Sequence, residues 1–117
     1  MDMTHALAGL SALAHEGRLA IFRLLVKAGP DGMAAGAIAR KLDTAPNTLS
    51  AQLLILANAG LIAARRDGRS IIYAADFERM GQLLQFLTKD CCGGRPEICG
   101  PLAATINNCC PPRRTRA

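Results

Sequence analysis

Apolar residues recur along the chain at helical spacing, in short runs separated by turn residues. HALAGLSALA, residues 5 to 14, reads as a short helix. After Glu16 a second begins, in which Leu19, Phe22, Leu25 and Val26 recur on one face and which Gly29-Pro30 closes. Asp31-Gly32 makes a turn. AAGAIARKL, residues 34 to 42, is then a brief helix with Ile38 and Leu42 inward and Arg40 and Lys41 outward. Pro46 disfavours helix at Ala45 but suits the first position of the next helix. That helix is expected from Asn47 to Ala59, with Leu49, Leu53 and Leu56 toward the core and Gly60 as a left-handed stop.

Beyond Gly60 the period changes. Leu61 to Arg66 and Arg69 to Ala75 are extended runs on either side of Asp67-Gly68, a two-residue turn signal, and together they predict a β-hairpin. A last helix starts at Asp76 or Glu78, carries Met80, Leu83, Leu84 and Leu87, and runs into Cys91-Cys92 before Gly93-Gly94 ends it. From Gly100 the chain holds Pro101, Pro111, Pro112 and three arginines, a composition that predicts a loose segment. The expected organisation is one domain over residues 1–92, mostly α with a small β-hairpin, and a partly flexible Cys-rich tail over 93–117.

Composition refines this picture. Half of the 117 residues are hydrophobic, yet only Phe22, Tyr73, Phe77 and Phe86 are aromatic. The core must be built from Leu, Ile, Ala and Val, which suits packed helices. A formal charge of +5 argues for an anionic partner such as a phosphate backbone. The opening MDMTHALAGL lacks the basic and apolar regions of a signal peptide, so a cytoplasmic protein is expected. Thr44 to Ala64 carries no charge over 21 residues, but Pro46, Asn47, Gln52, Asn58 and Gly60 interrupt it, so no membrane span is expected.

A short helix, a tight turn, a second helix and a basic hairpin, in that order, form the helix-turn-helix plan with a wing. A helix that reads the major groove needs short, polar side chains at its N-terminal end. Asn47, Thr48, Ser50, Ala51 and Gln52 supply them, and Gln52, whose amide can pair with adenine, is the best base reader of the set. Arg65, Arg66 and Arg69 flank the hairpin turn, where a guanidinium reaches phosphate or a narrow minor groove. Each feature alone also fits a solvated helix face or an edge charged against aggregation. Their order on a basic chain favours double-stranded DNA.

Five cysteines, Cys91, Cys92, Cys99, Cys109 and Cys110, all fall in the last 27 residues, whereas disulfide-stapled folds spread their bridges across the core. Cys91 and Cys92 are poor partners for each other, because adjacent α-carbons lie about 3.8 Å apart, below the usual disulfide span of about 4.4–6.8 Å. Soft-ligand binding is the better use. Three thiolates without a companion histidine or carboxylate favour a thiophilic centre over magnesium, calcium or an ordinary zinc site. Trivalent arsenic, which takes three ligands in a pyramid, matches Cys91, Cys92 and Cys99 in number. A four-thiolate zinc, cadmium or lead site drawing on Cys109 or Cys110, binding of a methylated arsenical, and thiol redox sensing stay open. His5 and His15 are expected at the surface or at helix ends. An enzyme is not expected: a reactive cysteine would sit at a helix N-terminus, and Cys91-Cys92 follows a C-terminal end.

"LSALAHEGRLAIFRLL", "APNTLSAQLLILANAGLI" and "RRDGRSIIYAAD" together resemble the ArsR/SmtB family of bacterial metal-sensing repressors over about residues 5 to 90. The resemblance implies a winged helix-turn-helix that is homodimeric through its first and last helices and releases operator DNA when its effector binds. Many arsenic, cadmium and lead sensors of that family carry Cys-x-Cys on the helix before the recognition helix. Here that helix reads AAGAIARKLD and contains no thiol. Arsenite-sensing members with a Cys-Cys pair and a nearby third Cys after the last helix are similar to the spacing of Cys91, Cys92 and Cys99. By that similarity As(III), or Sb(III), is the expected effector.

Overall fold

Capping side chains start three of the helices. Asp2 accepts the backbone N–H of His5 at 2.9 Å and opens α1, Met3–Leu13. His15 opens α2, Glu16–Ala28, its Nδ1 accepting from Gly17 N at 3.1 Å and Arg18 N at 3.4 Å. In this computed structural model the described residues are 1–88, and Met1–Phe86 form one unit. The two-residue strand β1, Met33–Ala34, leads directly into α3, Ala35–Leu42, and α4 covers Pro46–Asn58 with the proline at its start. Strands β2, Ile62–Asp67, and β3, Ser70–Ala75, precede α5, Phe77–Thr88, where Asp76 Oδ1 accepts from Arg79 N at 2.9 Å.

Stops are as specific as starts. Asp43 ends α3 in the left-handed region at φ 51°, a conformation that Asp tolerates better than most residues. Gly60 ends α4 at φ 81°; its N–H bonds Ala57 O and that of Leu61 bonds Leu56 O, the two bonds of a Schellman motif. The chain thus leaves α4 in a fixed direction, straight into β2.

The three strands form an antiparallel sheet in the order β1-β3-β2. Ile62 pairs with Ala75 at the core end of the hairpin and Asp67 with Ser70 at its tip. Ile21, Leu25, Ile38, Leu53, Leu56 and Leu61 are essentially fully buried, so α2, α3, α4 and the start of the wing share one aliphatic core. Among the described residues no polar or charged side chain is buried. No helix among them is long and apolar enough to cross a membrane.

Three details differ from the sequence reading. On α2 the buried residues are Ile21, Phe22 and Leu25, while Leu19 is exposed. At about 100° per residue Leu19 lies some 200° from Ile21, on the far side of the helix. The hairpin loop is Gly68-Arg69, with Asp67 still in β2. Gly68 has φ 64° and Arg69 does not share a positive φ, the glycine-first signature of a type II′ turn. Finally, β1 has no counterpart in the expected elements, since two residues are too few to carry a period. The continuation of the last helix into Cys91-Cys92 and the tail 93–117 lie outside the described residues.

Candidate nucleic-acid interface

Burial of Leu49, Leu53 and Leu56 fixes the rotation of α4. The opposite side carries Asn47, Ala51, Leu54 and Asn58, all exposed, at intervals of four, three and four residues. Thr48 and Ser50 are exposed on the flanks. Gln52 behaves differently. It is half-buried, and its Oε1 accepts a 3.1 Å bond from Arg18 Nη1. Arg18 also donates from Nε to Ala12 O at 2.6 Å, so one guanidinium ties the end of α1 to α4. One of the two lone pairs of the oxygen that would accept from adenine N6 is therefore used by Arg18, and the bond seats α4 against the start of α2. Arg18, absent from the sequence candidates, is the residue that does this; its signal was only that a basic residue stands in the first turn of α2, where the helix dipole disfavours it.

The wing separates its arginines. Side chains alternate along β2, so Arg66 shares the face of Ile62 and Ala64, whereas Arg65 shares that of Ala63. Arg65 Nη2 donates to Asp31 O at 2.9 Å and ties the wing to the turn before β1. Arg66 and Arg69 are exposed, and neither has a hydrogen-bond or ion-pair partner among the described residues. Arg69, Ser70, Ile71 and Tyr73 of the wing line a concavity of about 380 Å³ together with Ser50 and Leu53 of α4 and the start of α3. Ser50 and Arg69, far apart in sequence, thus border one depression. Arg40 and Lys41 add exposed positive charge in the last turn of α3.

Among the described residues there is no group of three or more His, Cys, Asp or Glu side chains able to hold an ion. Both histidines are at helix starts: His15 caps α2, and His5 Nδ1 lies 2.7 Å from Asp2 Oδ1. That carboxyl is held below its usual range, first by the backbone N–H of His5 and then by the His5 ring. Cys91, Cys92, Cys99, Cys109 and Cys110 lie outside the described residues.

The helix-turn-helix domain family matches residues 13–65. An uncharacterised HTH-type transcriptional regulator of Mycobacterium tuberculosis is 35% identical over 77 residues, a match spanning 66% of this chain and 66% of that protein, just under two thirds. A solved winged helix-turn-helix DNA-binding domain from Mycobacterium bovis, described as homodimeric and as a possible ArsR-family regulator, is 31% identical. It covers 75% of this chain and 82% of its own, at a TM-score of 0.60. The chain belongs to the ArsR type of winged helix-turn-helix transcriptional regulators. Among solved members of this fold, NolR of Sinorhizobium fredii is 34% identical, with 74% of this chain and 83% of that one covered and a TM-score of 0.59. In these regulators' terms α3 and α4 are the helix-turn-helix, and β2 and β3 are the wing.

Proposed function

We propose that the protein is a homodimeric repressor that grips operator DNA with α4 and the wing and lets go when trivalent arsenic, or antimony, is bound by Cys91, Cys92 and Cys99. The observation that carries the DNA half is the shared face of α4 and the wing. Exposed Ser50 borders one depression with Arg69 of the wing, Asn47, Thr48 and Ala51 are exposed elsewhere on α4, and the Arg66 and Arg69 side chains have no partner among the described residues, on a chain of net charge +5. The arginines supply sequence-independent attraction to phosphate, and the helix supplies the groove-reading edge.

The dimer rests on a second surface. Met3, Leu7 and Leu10 are exposed along one side of α1 at 60%, 57% and 38%. The buried side of α1, with Ala6, Gly9 and Ala12, packs mainly on α2 and α4 and approaches α5 at Gly9, where a Cβ would stand 3.6 Å from Leu83 Cδ2. Leu84, next along α5, is half exposed as well. A two-fold pairing of α1 and α5 with a second copy would cover these apolar side chains and present two copies of α4 to half-sites about one DNA turn apart.

The effector half rests on the thiol count and spacing in the sequence. Metalloid binding after α5 would alter the α1–α5 pairing and so the separation of the two reading helices. A coupling of about 1–3 kcal/mol is usual for such switches, and operator DNA must weaken arsenite binding by the same factor. The test is an anisotropy titration of full-length protein on duplex DNA from its own promoter, with arsenite, zinc and cadmium compared. It is repeated with Cys91, Cys92 and Cys99 each changed to Ser. Each serine variant is expected to keep DNA affinity and lose the arsenite response. Operator affinity unchanged by saturating arsenite would end the sensor reading.

A further inference from the structure

The outward stripe of α4 is Asn47, Ala51, Leu54 and Asn58, and its middle is apolar: Leu54, at 61%, is among the most exposed large hydrophobic side chains of the described residues. No charge stands anywhere on α4. An exposed leucine in the centre of a helix whose neighbours on both sides are basic, Arg40 and Lys41 before it and Arg66 and Arg69 after it, calls for an apolar feature within an anionic partner. Duplex DNA has one such feature in the groove that admits a helix, the C5-methyl group of thymine. We propose that Ala51 and Leu54 read thymine methyl groups in the operator, and that Gln52, held by Arg18, is not the base-selecting residue. This rests on the DNA-binding reading above and specifies its chemistry: selectivity is apolar and comes from α4, while affinity is ionic and comes from the wing and the end of α3.

The two contributions separate with salt. Phosphate contacts release counterions and weaken steeply as ionic strength rises; burial of a methyl group does not. The experiment begins by selecting duplexes from a random 30-base-pair library with full-length protein. In the enriched duplex each thymine is then replaced in turn by deoxyuridine, which removes the methyl and nothing else. One position per half-site is expected to lose about fourfold in affinity, the worth of one buried methyl-sized group. That factor should be the same at low and at high salt while total affinity falls. Leu54→Ala should reduce the deoxyuridine effect to less than twofold without moving the melting temperature, since the side chain is exposed, and Leu54→Met should keep it.

If no duplex is enriched, the DNA-binding reading fails and this inference with it. If duplexes are enriched but every thymine tolerates deoxyuridine, or if the sensitivity is undiminished in Leu54→Ala, DNA binding stands and the methyl-reading assignment is overturned.

Discussion

Arg18→Ala removes a side chain that joins three segments, α1, α2 and α4. Its Nε bond to Ala12 O is short at 2.6 Å and made by a charged donor to a carbonyl in the last turn of α1, a turn whose carbonyls lack helical partners. Its Nη1 bond to Gln52 Oε1 at 3.1 Å is also charge-assisted. The approach to Ser11 O at 3.5 Å is exposed and at the limit of bonding distance, so it contributes little. Hydrogen bonds with a charged partner contribute about 1.5–3 kcal/mol each. Two at the lower end give about 3 kcal/mol, and solvent access to this half-buried site reduces the expected loss to about 2 kcal/mol.

Urea unfolding at one fixed protein concentration measures it, since a dimer's apparent stability depends on concentration. A double-mutant cycle with Gln52→Ala isolates the α2–α4 link, and a coupling of about 1 kcal/mol is expected. Arg18→Lys should recover less than half of the loss, because an ammonium cannot present the planar fork that reaches α1 and α4 together. A loss for Arg18→Ala below about 0.5 kcal/mol, or strict additivity with Gln52→Ala, would refute the account of how α4 is seated.

Three further outcomes follow from single contacts. Gly32 has φ 74°, and a Cβ there would fall against the carbonyl oxygen of Tyr73, the β3 residue paired with Met33, so Gly32→Ala should cost at least about 2 kcal/mol in urea unfolding. Arg66→Gln and Arg69→Gln should each lower the salt slope of DNA binding by about one per wing, whereas Arg65→Gln, which loses its bond to Asp31 O, should lower the melting temperature and leave the slope nearly unchanged. The lowered pKa of the Asp2 carboxyl means that its cap stabilises α1 above the ordinary aspartate range and that this is lost as pH falls through the folded value; Asp2→Asn should flatten that acid limb in a pH series of thermal melts.

The helical part of the fold was legible because its signals are local and redundant. Pro46, the Leu49-Leu53-Leu56 spacing and Gly60 each define the same helix, and the structure has it at Pro46–Asn58. The wing was legible for the same reason, apart from a one-residue shift of its loop. What sequence could not give was direction across space. Leu19 and Ile21 both suit a helix, and the positions of α1, α3, α4 and β3 around α2 decide which is buried. Gln52 has the best side-chain chemistry for adenine, and nothing local says that Arg18, 34 residues earlier, bonds its oxygen. Arg65 and Arg66 are adjacent in a strand and so on opposite faces, but which of them meets the turn before β1 depends on how the sheet is placed.

The chemistry of the proposed effector makes a prediction that separates it from its divalent rivals. Arsenous acid exchanging its three hydroxyls for three thiols yields one As(SR)₃ centre and three waters, As(OH)₃ + 3 RSH → As(SR)₃ + 3 H₂O. Neutral reactants give neutral products and no proton is left over. A divalent cation taking the same three sulfurs must first displace three protons, because free thiols near pH 7 are mostly protonated, with an ordinary pKa of about 8.5. The arsenite concentration that halves DNA binding should therefore be nearly constant from about pH 6 to pH 7.5. For zinc or cadmium it should fall steeply over the same interval, by up to about a thousandfold per pH unit if three protons leave. Because the arsenite exchange adds no charge, it cannot release DNA by weakening the basic field of Arg66 and Arg69. The proposed release then acts through conformation, by moving the paired α4 helices off their spacing. An arsenite midpoint that dropped with pH as steeply as that for cadmium would show that the neutral three-thiol exchange is not the binding reaction.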